Sequence, residues 1–307
     1  MNHSVIRTPD ERFAALPGFP FEPHYVDDLA GYESLRIHYV DEGGASKPTF
    51  LCLHGEPTWS YLYRKMIPAL ARAGRVVAPD YLGFGRSDKP IDDELYTFDF
   101  HRKMLFRFVE RLDLRHIVLL CQDWGGLLGL TLPPAMPDRF DGLLIMNTAL
   151  ATGDMQLGDG FLAWRSWAAA HPDMDIAKLM GRTVPHLSAE ECAAYAAPFL
   201  NQQSKAGARR FPQLVPDHPD AEGAALSRAA RDWWRNEWNG TTFMTIGMRD
   251  PVIIPQAMYG MQRIIRNCPP PLELAEAGHF VPEWSEAFID RALAAVAKRS
   301  AQIGRSY

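Results

Sequence analysis

The chain has 307 residues, of which 47% are apolar and 22% charged, a composition that is typical of globular proteins and excludes a disordered chain. Its formal net charge is −5 without a basic cluster, and no run approaches the roughly 20 apolar residues of a membrane span, so we expect neither nucleic acid nor a membrane as partner. The start of the chain lacks the apolar core of a signal peptide, so we expect a cytoplasmic protein built as two domains or as one large α/β domain with an insertion.

Short apolar runs alternate with helical patterns in the first half of the chain. Five runs rich in Val, Ile and Leu predict buried strands: Leu35–Val40, Thr49–Leu53, Arg75–Pro79, His116–Cys121 and Gly142–Met146. Between the third and fourth runs, apolar residues recur at helical spacing from Leu105 to Leu112. This alternation predicts an α/β fold with a mostly parallel, doubly wound sheet covered by helices.

The alternation stops between Ala151 and Asn236. Tryptophans, an Ala-rich stretch and repeated prolines predict several short helices there. Strand-like runs return at Thr242–Ile246 and Leu272–Ala275, and a final amphipathic helix is predicted from about Glu283 to Lys298. We therefore expect a core domain of residues 1–150 and 237–307, with residues 151–236 inserted as a helical cap.

The four cysteines, Cys52, Cys121, Cys192 and Cys268, are scattered along the chain. They form no CxxC pair and have no metal-ligand spacing. We expect reduced thiols and no metal site.

A candidate nucleophile follows the fourth predicted strand. Gln122-Asp123-Trp124-Gly125-Gly126 lies between that strand and a helix, the position of a nucleophile elbow with the pattern G-x-S-x-G. Asp123 stands where that pattern has Ser, and a carboxylate attacks carbon without a base to activate it. Taken alone, Asp123 could equally be the N-cap of the helix.

Two downstream residues support the catalytic interpretation. Asp250 and His279 each follow a predicted strand end. Singly, Asp250 suits a turn and His279 a core position, but the order nucleophile, acid, His is that of the α/β-hydrolase fold. In this fold, the loop holding Glu56 and the residue after the nucleophile, here Trp124, supply the backbone N–H groups of an oxyanion hole. The Glu56 side chain has either a task of its own, such as holding a water, or a structural role.

Together these motifs resemble the haloalkane dehalogenases. The resemblance covers essentially the whole chain and rests on His54–Tyr61 (HGEPTWSY), Gln122–Gly126 (QDWGG), Gly160–Trp164 (GFLAW) and Gly278–Phe280 (GHF). The chain is most similar to the branch whose catalytic acid follows the later strand, here Asp250. The other branch has its acid at the position of Asn147, and an amide cannot play that part.

The resemblance implies a two-step hydrolysis of carbon–halogen bonds. Asp123 would be the nucleophile, His279 the general base and Asp250 the acid that orients His279, while Trp124 and Trp164 would bind the halide through their indole N–H groups. Neither a metal nor an organic cofactor would be required. The partners would be a small neutral halogenated alkane and the halide ion.

The pocket walls are predicted from position. Phe161 lies one helical turn before Trp164, and Leu127, Val252 and Ile253 flank catalytic positions. For Phe161, ordinary packing within the cap is an alternative. No sequence feature fixes the oligomeric state, and we expect a monomer.

Four other functions fit the sequence less well. An epoxide hydrolase shares the triad but, by resemblance, needs two tyrosines in the cap, and this cap has only Tyr195. A fluoroacetate dehalogenase has Arg after the nucleophile, where this chain has Trp124. A serine esterase is disfavoured by Asp123, and a non-catalytic ligand-binding relative is expected to lack a member of the triad.

Overall fold

The computed structural model of the chain describes residues 4–45 and 47–303, with side chains up to residue 297. In these residues the strands are β1 (Val5–Ile6), β2 (His24–Val26), β3 (Ile37–Glu42), β4 (Thr49–Leu53), β5 (Arg75–Pro79), β6 (Lys89–Pro90), β7 (Ile117–Cys121), β8 (Phe140–Met146), β9 (Thr241–Gly247) and β10 (Leu272–Leu274). The α-helices are α1 (Ile67–Ala73), α2 (Phe98–Arg111), α3 (Trp124–Gly129), α4 (Asp159–Ala170), α5 (Ile176–Thr183), α6 (Ala189–Ala196), α7 (Ala206–Leu214), α8 (Ala224–Asn236), α9 (Pro255–Ile264) and α10 (Ile289–Ile303).

Eight strands form one central sheet in the order β2-β3-β5-β4-β7-β8-β9-β10. From β5 to β10 all neighbours are parallel, whereas β2 and β3 join the edge antiparallel. β1 and β6 form a separate antiparallel pair. β4 and β7 are buried at every position, as expected for parallel strands covered on both faces. The predicted α/β class with a mostly parallel sheet is confirmed.

The register of the sheet brings several strand ends to one edge. Leu53 at the end of β4 pairs with Cys121 at the end of β7, and Cys121 pairs with Ile145 in β8. Met146 at the end of β8 pairs with Thr245 in β9. Loops that follow these strands therefore meet at the carboxyl edge of the sheet, where open α/β sheets bind ligands.

Five helices, α4 to α8, lie between β8 and β9, and no strand interrupts them in this described stretch. Within this segment α4 packs against α7 and α5 against α6. Helix α8 contacts α9, which lies outside the segment. The expected short helices are confirmed. The division of the chain into core and cap stays a prediction, and its outermost residues, 1–3 and 304–307, lie outside the described residues.

The end of the chain differs from the expectation. A 3-10 segment covers Val281–Ala287, and the α-helix begins only at Ile289. Trp284 leaves helical geometry at φ −105° and ψ 21°, and Phe288 at φ −141° separates the two segments. Glu283, expected at the start of an amphipathic helix, is instead buried and paired with Arg64 and Lys65.

All four cysteines are unpaired, and three are buried. Within residues 4–45 and 47–303, no helix has the length and apolar character needed to cross a membrane.

Candidate active site

Asp123 occupies a strained turn between β7 and α3. Its φ of 51° and ψ of −125° are rarely adopted by a residue with a side chain and cost roughly 1–3 kcal/mol. Gly125 and Gly55 make the turn possible because neither has a side chain that would collide with its neighbours. A Cβ on Gly125 would collide with the Leu53 carbonyl oxygen, and a Cβ on Gly55 would lie 2.5 Å from both Cβ and Oδ1 of Asp123. The turn therefore projects the carboxylate above the sheet edge, as an elbow requires.

The two oxygens of Asp123 have different surroundings. Oδ1 accepts a hydrogen bond from the backbone N–H of Glu56 at 2.8 Å. Oδ2 lies 3.6 Å from Nε2 of His279. Trp124, at the first position of α3, follows directly. One oxygen is thus already held by a predicted oxyanion donor, which leaves the other oriented for attack.

His279 and Asp250 are brought together as predicted. Nδ1 of His279 lies 2.8 Å from Oδ2 of Asp250. Oδ1 of Asp250 accepts the backbone N–H groups of Val252 and Ile253 at 2.7 and 3.0 Å. Because both carboxylate oxygens are satisfied by donors, the acid fixes one orientation of the imidazole.

Asn147 completes the surroundings of the acid, a role that the sequence did not reveal. Its Nδ2 donates to Oδ2 of Asp250 at 2.8 Å, and its Oδ1 accepts the N–H of Gly247 at 2.8 Å. The two strand ends of β8 and β9 therefore converge on the same carboxylate.

The pKa values of this pair are shifted in opposite directions. Burial opposes the charge of His279, but Asp250 and Asp123 outweigh it and raise the pKa of the imidazole to about 10. Burial likewise opposes the charge of Asp250, but His279 and the donated hydrogen bonds lower the pKa of that carboxyl overall. In the free protein, His279 and its neighbours therefore form a buried ionic cluster.

Gln122 also contacts His279, which was not predicted from the sequence. Its Nε2 donates to the His279 carbonyl at 3.1 Å and also lies 3.1 Å from Nε2 of the imidazole. The second contact is a hydrogen bond only while that imidazole nitrogen is unprotonated. The contact therefore fits the neutral base, whereas the raised pKa favours the imidazolium. A polar residue directly before Asp123, at the end of a buried strand, was the signal available in the sequence.

The side chain of Glu56 is buried beside the nucleophile. Burial and the charge of Asp123 raise its pKa well above the ordinary range, while His279 and Trp164 oppose this by less. Its Oε1 is buried without a hydrogen-bond partner in the described residues. Burial and the neighbouring carboxylate thus both disfavour the charged form of Glu56 at the edge of the site.

A cavity of about 270 Å³ opens above these residues. The predicted residues that line it are Glu56, Asp123, Trp124, Phe161, Trp164, Val252 and His279. Leu127 and Ile253 do not line it. Leu127 is packed in the hydrophobic core, and Ile253 is engaged through its main chain with Asp250 and Asn147.

Helix α4 of the inserted segment lines the same cavity as Asp123. Phe161 and Trp164 on α4 are half-buried, and Trp164 stacks on Trp167 with 5.4 Å between ring centroids. Arg182 and Arg249 also line the cavity, and no motif in the sequence predicts either residue there. The site thus combines the carboxylate of Asp123, the candidate nucleophile, with two indoles and largely apolar walls.

Tyr195, the acid that an epoxide hydrolase would use here, is not among the residues that line the cavity. Its hydroxyl instead donates to the buried carboxylate of Glu283. In the described part of the chain, no group of three or more His, Cys, Asp or Glu side chains is arranged to hold a metal ion.

Comparisons with known proteins agree with this geometry. A family model of the alpha/beta hydrolase fold matches residues 48–286. The haloalkane dehalogenase of Psychrobacter cryohalolentis is 43% identical over 290 residues, covering 91% of this chain and 93% of that protein. Haloalkane dehalogenase 1 of Mycobacterium tuberculosis is 42% identical over 286 residues, covering 92% and 94%.

Among solved structures, the tetrameric haloalkane dehalogenase DpaA from Paraglaciecola agarilytica superposes with a TM-score of 0.92. It is 49% identical and covers 95% of this chain and 98% of its own. The chain therefore belongs to the haloalkane dehalogenase family, with the α/β-hydrolase fold.

Proposed function

We propose that this protein hydrolyses small neutral haloalkanes to an alcohol, a halide ion and a proton. The observation that carries the proposal is the carboxylate of Asp123 at an elbow, facing an apolar cavity that Trp124 and Trp164 also line. A carboxylate nucleophile needs an electrophilic carbon with a good leaving group. The indoles are donor-only groups on large apolar bodies, which suits a halide leaving in a dry pocket.

In the first step, Oδ2 of Asp123 displaces the halide from the alkyl carbon. The carbon–halogen bond breaks as the carbon–oxygen bond forms, so that an alkyl ester of Asp123 and a halide ion result. Trp124 and Trp164 donate their N–H groups to the departing halide, whose charge the cavity would otherwise leave unsolvated. Oδ1 stays on the N–H of Glu56, at 2.8 Å in the free protein.

In the second step, His279 takes a proton from a water molecule that attacks the ester carbonyl carbon. The negative charge that develops on Oδ1 lies between the backbone N–H groups of Glu56 and Trp124. Asp250 holds the imidazole through Nδ1 and stabilises its positive charge. Collapse of the tetrahedral intermediate releases the alcohol and restores Asp123, and His279 gives its extra proton to solvent. The scheme requires neither a metal nor an organic cofactor.

We further propose that residues 151–236 act as a cap, because α4 contributes Phe161 and Trp164 to the cavity. For the oligomeric state, our expectation of a monomer stays a prediction. DpaA is tetrameric, and light scattering distinguishes a mass of 34.5 kDa from four times that value.

The test is halide release from 1,2-dibromoethane, 1-bromobutane and 1-chlorobutane, with hydrolysis of styrene oxide measured alongside. We expect bromide release from the wild-type protein and none from Asp123→Ala. In His279→Phe the alkyl ester should accumulate as a mass increase on the peptide that contains Asp123. Diol formation without halide release would favour the epoxide hydrolase, although the position of Tyr195 argues against it.

A further inference from the structure

The carboxylate of Glu283 joins three parts of the chain in the protein interior. Its side chain is fully buried, four positions after His279. Arg64 donates to it through both terminal nitrogens, with 3.1 Å between Nη2 and Oε2, and Nζ of Lys65 lies 2.9 Å from Oε2. The hydroxyl of Tyr195 on α6 donates to its Oε1. The loop that holds Arg64 and Lys65 and helix α6 of the inserted segment therefore both contact the carboxylate of Glu283.

Arg64 extends this cluster to a second carboxylate on α6. Its side chain is 2% exposed, and its Nη2 lies 2.6 Å from Oε1 of Glu191. Two cations, Arg64 and Lys65, therefore face two carboxylates. Arg64 and Glu283 are buried, whereas Lys65 and Glu191 are partly exposed, and the pairing offsets the cost of burying the first two charges. Burial and the charge of Glu283 raise the pKa of Tyr195 well above its ordinary value, so the hydroxyl remains a donor.

The cluster is joined to the catalytic histidine by a short, hydrogen-bonded stretch of main chain. The N–H of Val281 donates to the His279 carbonyl at 2.9 Å, and the N–H of Glu283 donates to the Phe280 carbonyl at 3.0 Å. A shift of Glu283 therefore displaces His279. Misplacing a catalytic group by about 1 Å can cost roughly 100-fold in rate.

We propose that Glu283, held by Arg64 and by Tyr195 of α6, is a positioning residue that sets the location of His279 for hydrolysis of the alkyl-enzyme. This role rests on the proposed two-step function. Alkylation uses Asp123 and the indoles and needs no base, so the cluster affects the second step and not the first. The inserted segment thereby controls breakdown of the ester as well as covering the cavity.

The direct variant, Glu283→Gln, leaves the buried Arg64 with the carboxylate of Glu191 alone, which could prevent folding. Milder variants are therefore used for the test. Tyr195→Phe removes one hydrogen bond to Glu283. Glu191→Gln removes the outer carboxylate, yet Gln can still complete the capping box with Ser188. The matched control is Glu190→Gln on the same helical turn, whose carboxylate is exposed and bonds Ser188 instead of the cluster.

The experiment is a rapid-quench single turnover with 1-bromobutane, which gives separate rate constants for alkylation and for ester hydrolysis across pH. For Tyr195→Phe and Glu191→Gln we expect hydrolysis to slow roughly tenfold and its pH midpoint to shift, with alkylation within about twofold of wild type. Glu190→Gln should change neither. A merely structural cluster would lower the melting temperature while leaving the ratio of the two rate constants unchanged, and that result overturns the proposal. A wild-type protein that releases no halide would overturn the proposed function as well, whereas normal halide release with unchanged hydrolysis in both variants overturns the positioning role alone.

Discussion

Replacing Asp250 by Asn separates the two halves of the proposed reaction. Oδ1 of Asp250 accepts two backbone N–H groups, from Val252 and Ile253, so the oxygen of the new amide must stay there. The new NH2 group then faces Nδ1 of His279, 2.8 Å from Oδ2 in the wild-type protein. Two donors cannot form a hydrogen bond with each other, so Nδ1 of His279 must accept from the new amide, and the imidazole proton moves to Nε2. The nitrogen facing Asp123 can then no longer take a proton from water.

The expected loss in ester hydrolysis is about 10⁴-fold, the effect of a wrong tautomer in a catalytic triad, or about 5.4 kcal/mol at roughly 1.36 kcal/mol per tenfold. Alkylation should be unaffected, because Asp123 needs no base. Rapid-quench kinetics and intact mass should therefore show one halide released per protein and a stable alkyl adduct on Asp123. Full turnover by Asp250→Asn would show that Asp250 does not orient the base. Loss of turnover without an adduct would show that Asp123 is not the nucleophile.

The second variant, Asp250→Asn with Asn147→Asp, tests the convergence of the two strand ends. Nδ2 of Asn147 and Nδ1 of His279 each lie 2.8 Å from the same oxygen of Asp250, so they are no more than twice that distance apart. A carboxylate at position 147 is therefore within a side-chain rotation of the imidazole. It would also face the carbonyls of Gly247 and Ile253, to which Asn147 now donates, so we expect partial recovery of about 10²-fold in hydrolysis. A double variant as inactive as the single one would contradict this geometry.

Three further changes test other parts of the site. In Gly55→Ala, the added Cβ would lie 2.5 Å from the Asp123 carboxylate, so alkylation should slow by about 100-fold. Gly158→Ala, where a Cβ meets nothing within 4 Å, should keep the wild-type rate in the same single-turnover assay, and equal rates in the two variants would refute the steric reasoning. Trp164→Phe removes a donor to an anion, worth about 1.5–3 kcal/mol, and should weaken bromide binding about tenfold to a hundredfold in a fluorescence titration; unchanged binding would exclude Trp164 from the halide site. The pKa of His279 is raised to about 10 in the folded protein, whereas an ordinary histidine has a pKa of about 6.5. The contribution of His279 to the free energy of unfolding is therefore complete below about pH 6.5 and is lost as the pH rises through 10. The difference in unfolding free energy between wild type and His279→Gln, measured in urea, should therefore shrink between pH 7 and pH 10, and a constant difference would contradict the assigned charge state.

The positions of the candidate catalytic residues could be predicted from the sequence because chemistry and topology constrain them locally. Asp123, Asp250 and His279 each follow a strand whose apolar run is visible in the sequence. Parallel strands carry such residues to one edge whatever the details of packing. The strand bounds of β4 and β5 matched the predicted runs for the same reason, since buried parallel strands are almost continuously apolar.

What could not be predicted depends on contacts between distant parts of the chain. Arg64 and Glu283 are 219 positions apart, and each taken alone is an ordinary surface-type residue. The predicted helix from Glu283 was wrong at its start, because this carboxylate is held in the interior by side chains that the local pattern does not reveal. Leu127 was expected in the pocket because it neighbours the elbow in sequence. Side-chain direction, which only the packed structure determines, places it in the core.

The charge on Asp123 also affects the pKa of His279, which should differ before and after the first proposed step. In the free protein, Asp123 is one of the two carboxylates that raise the pKa of His279 to about 10, and both therefore favour the imidazolium, which is not a base. Forming the alkyl ester removes that negative charge, while burial continues to disfavour the imidazolium. The pKa of His279 must therefore fall when the ester forms, and the neutral imidazole becomes compatible with the Gln122 amide 3.1 Å from Nε2. In the proposed scheme, the charge of Asp123 disfavours the basic form of His279 until the ester forms. The acidic limb of single-turnover hydrolysis should therefore lie well below the pKa of His279 measured by NMR in the free protein. Coincidence of the two values would show that Asp123 does not exert this control.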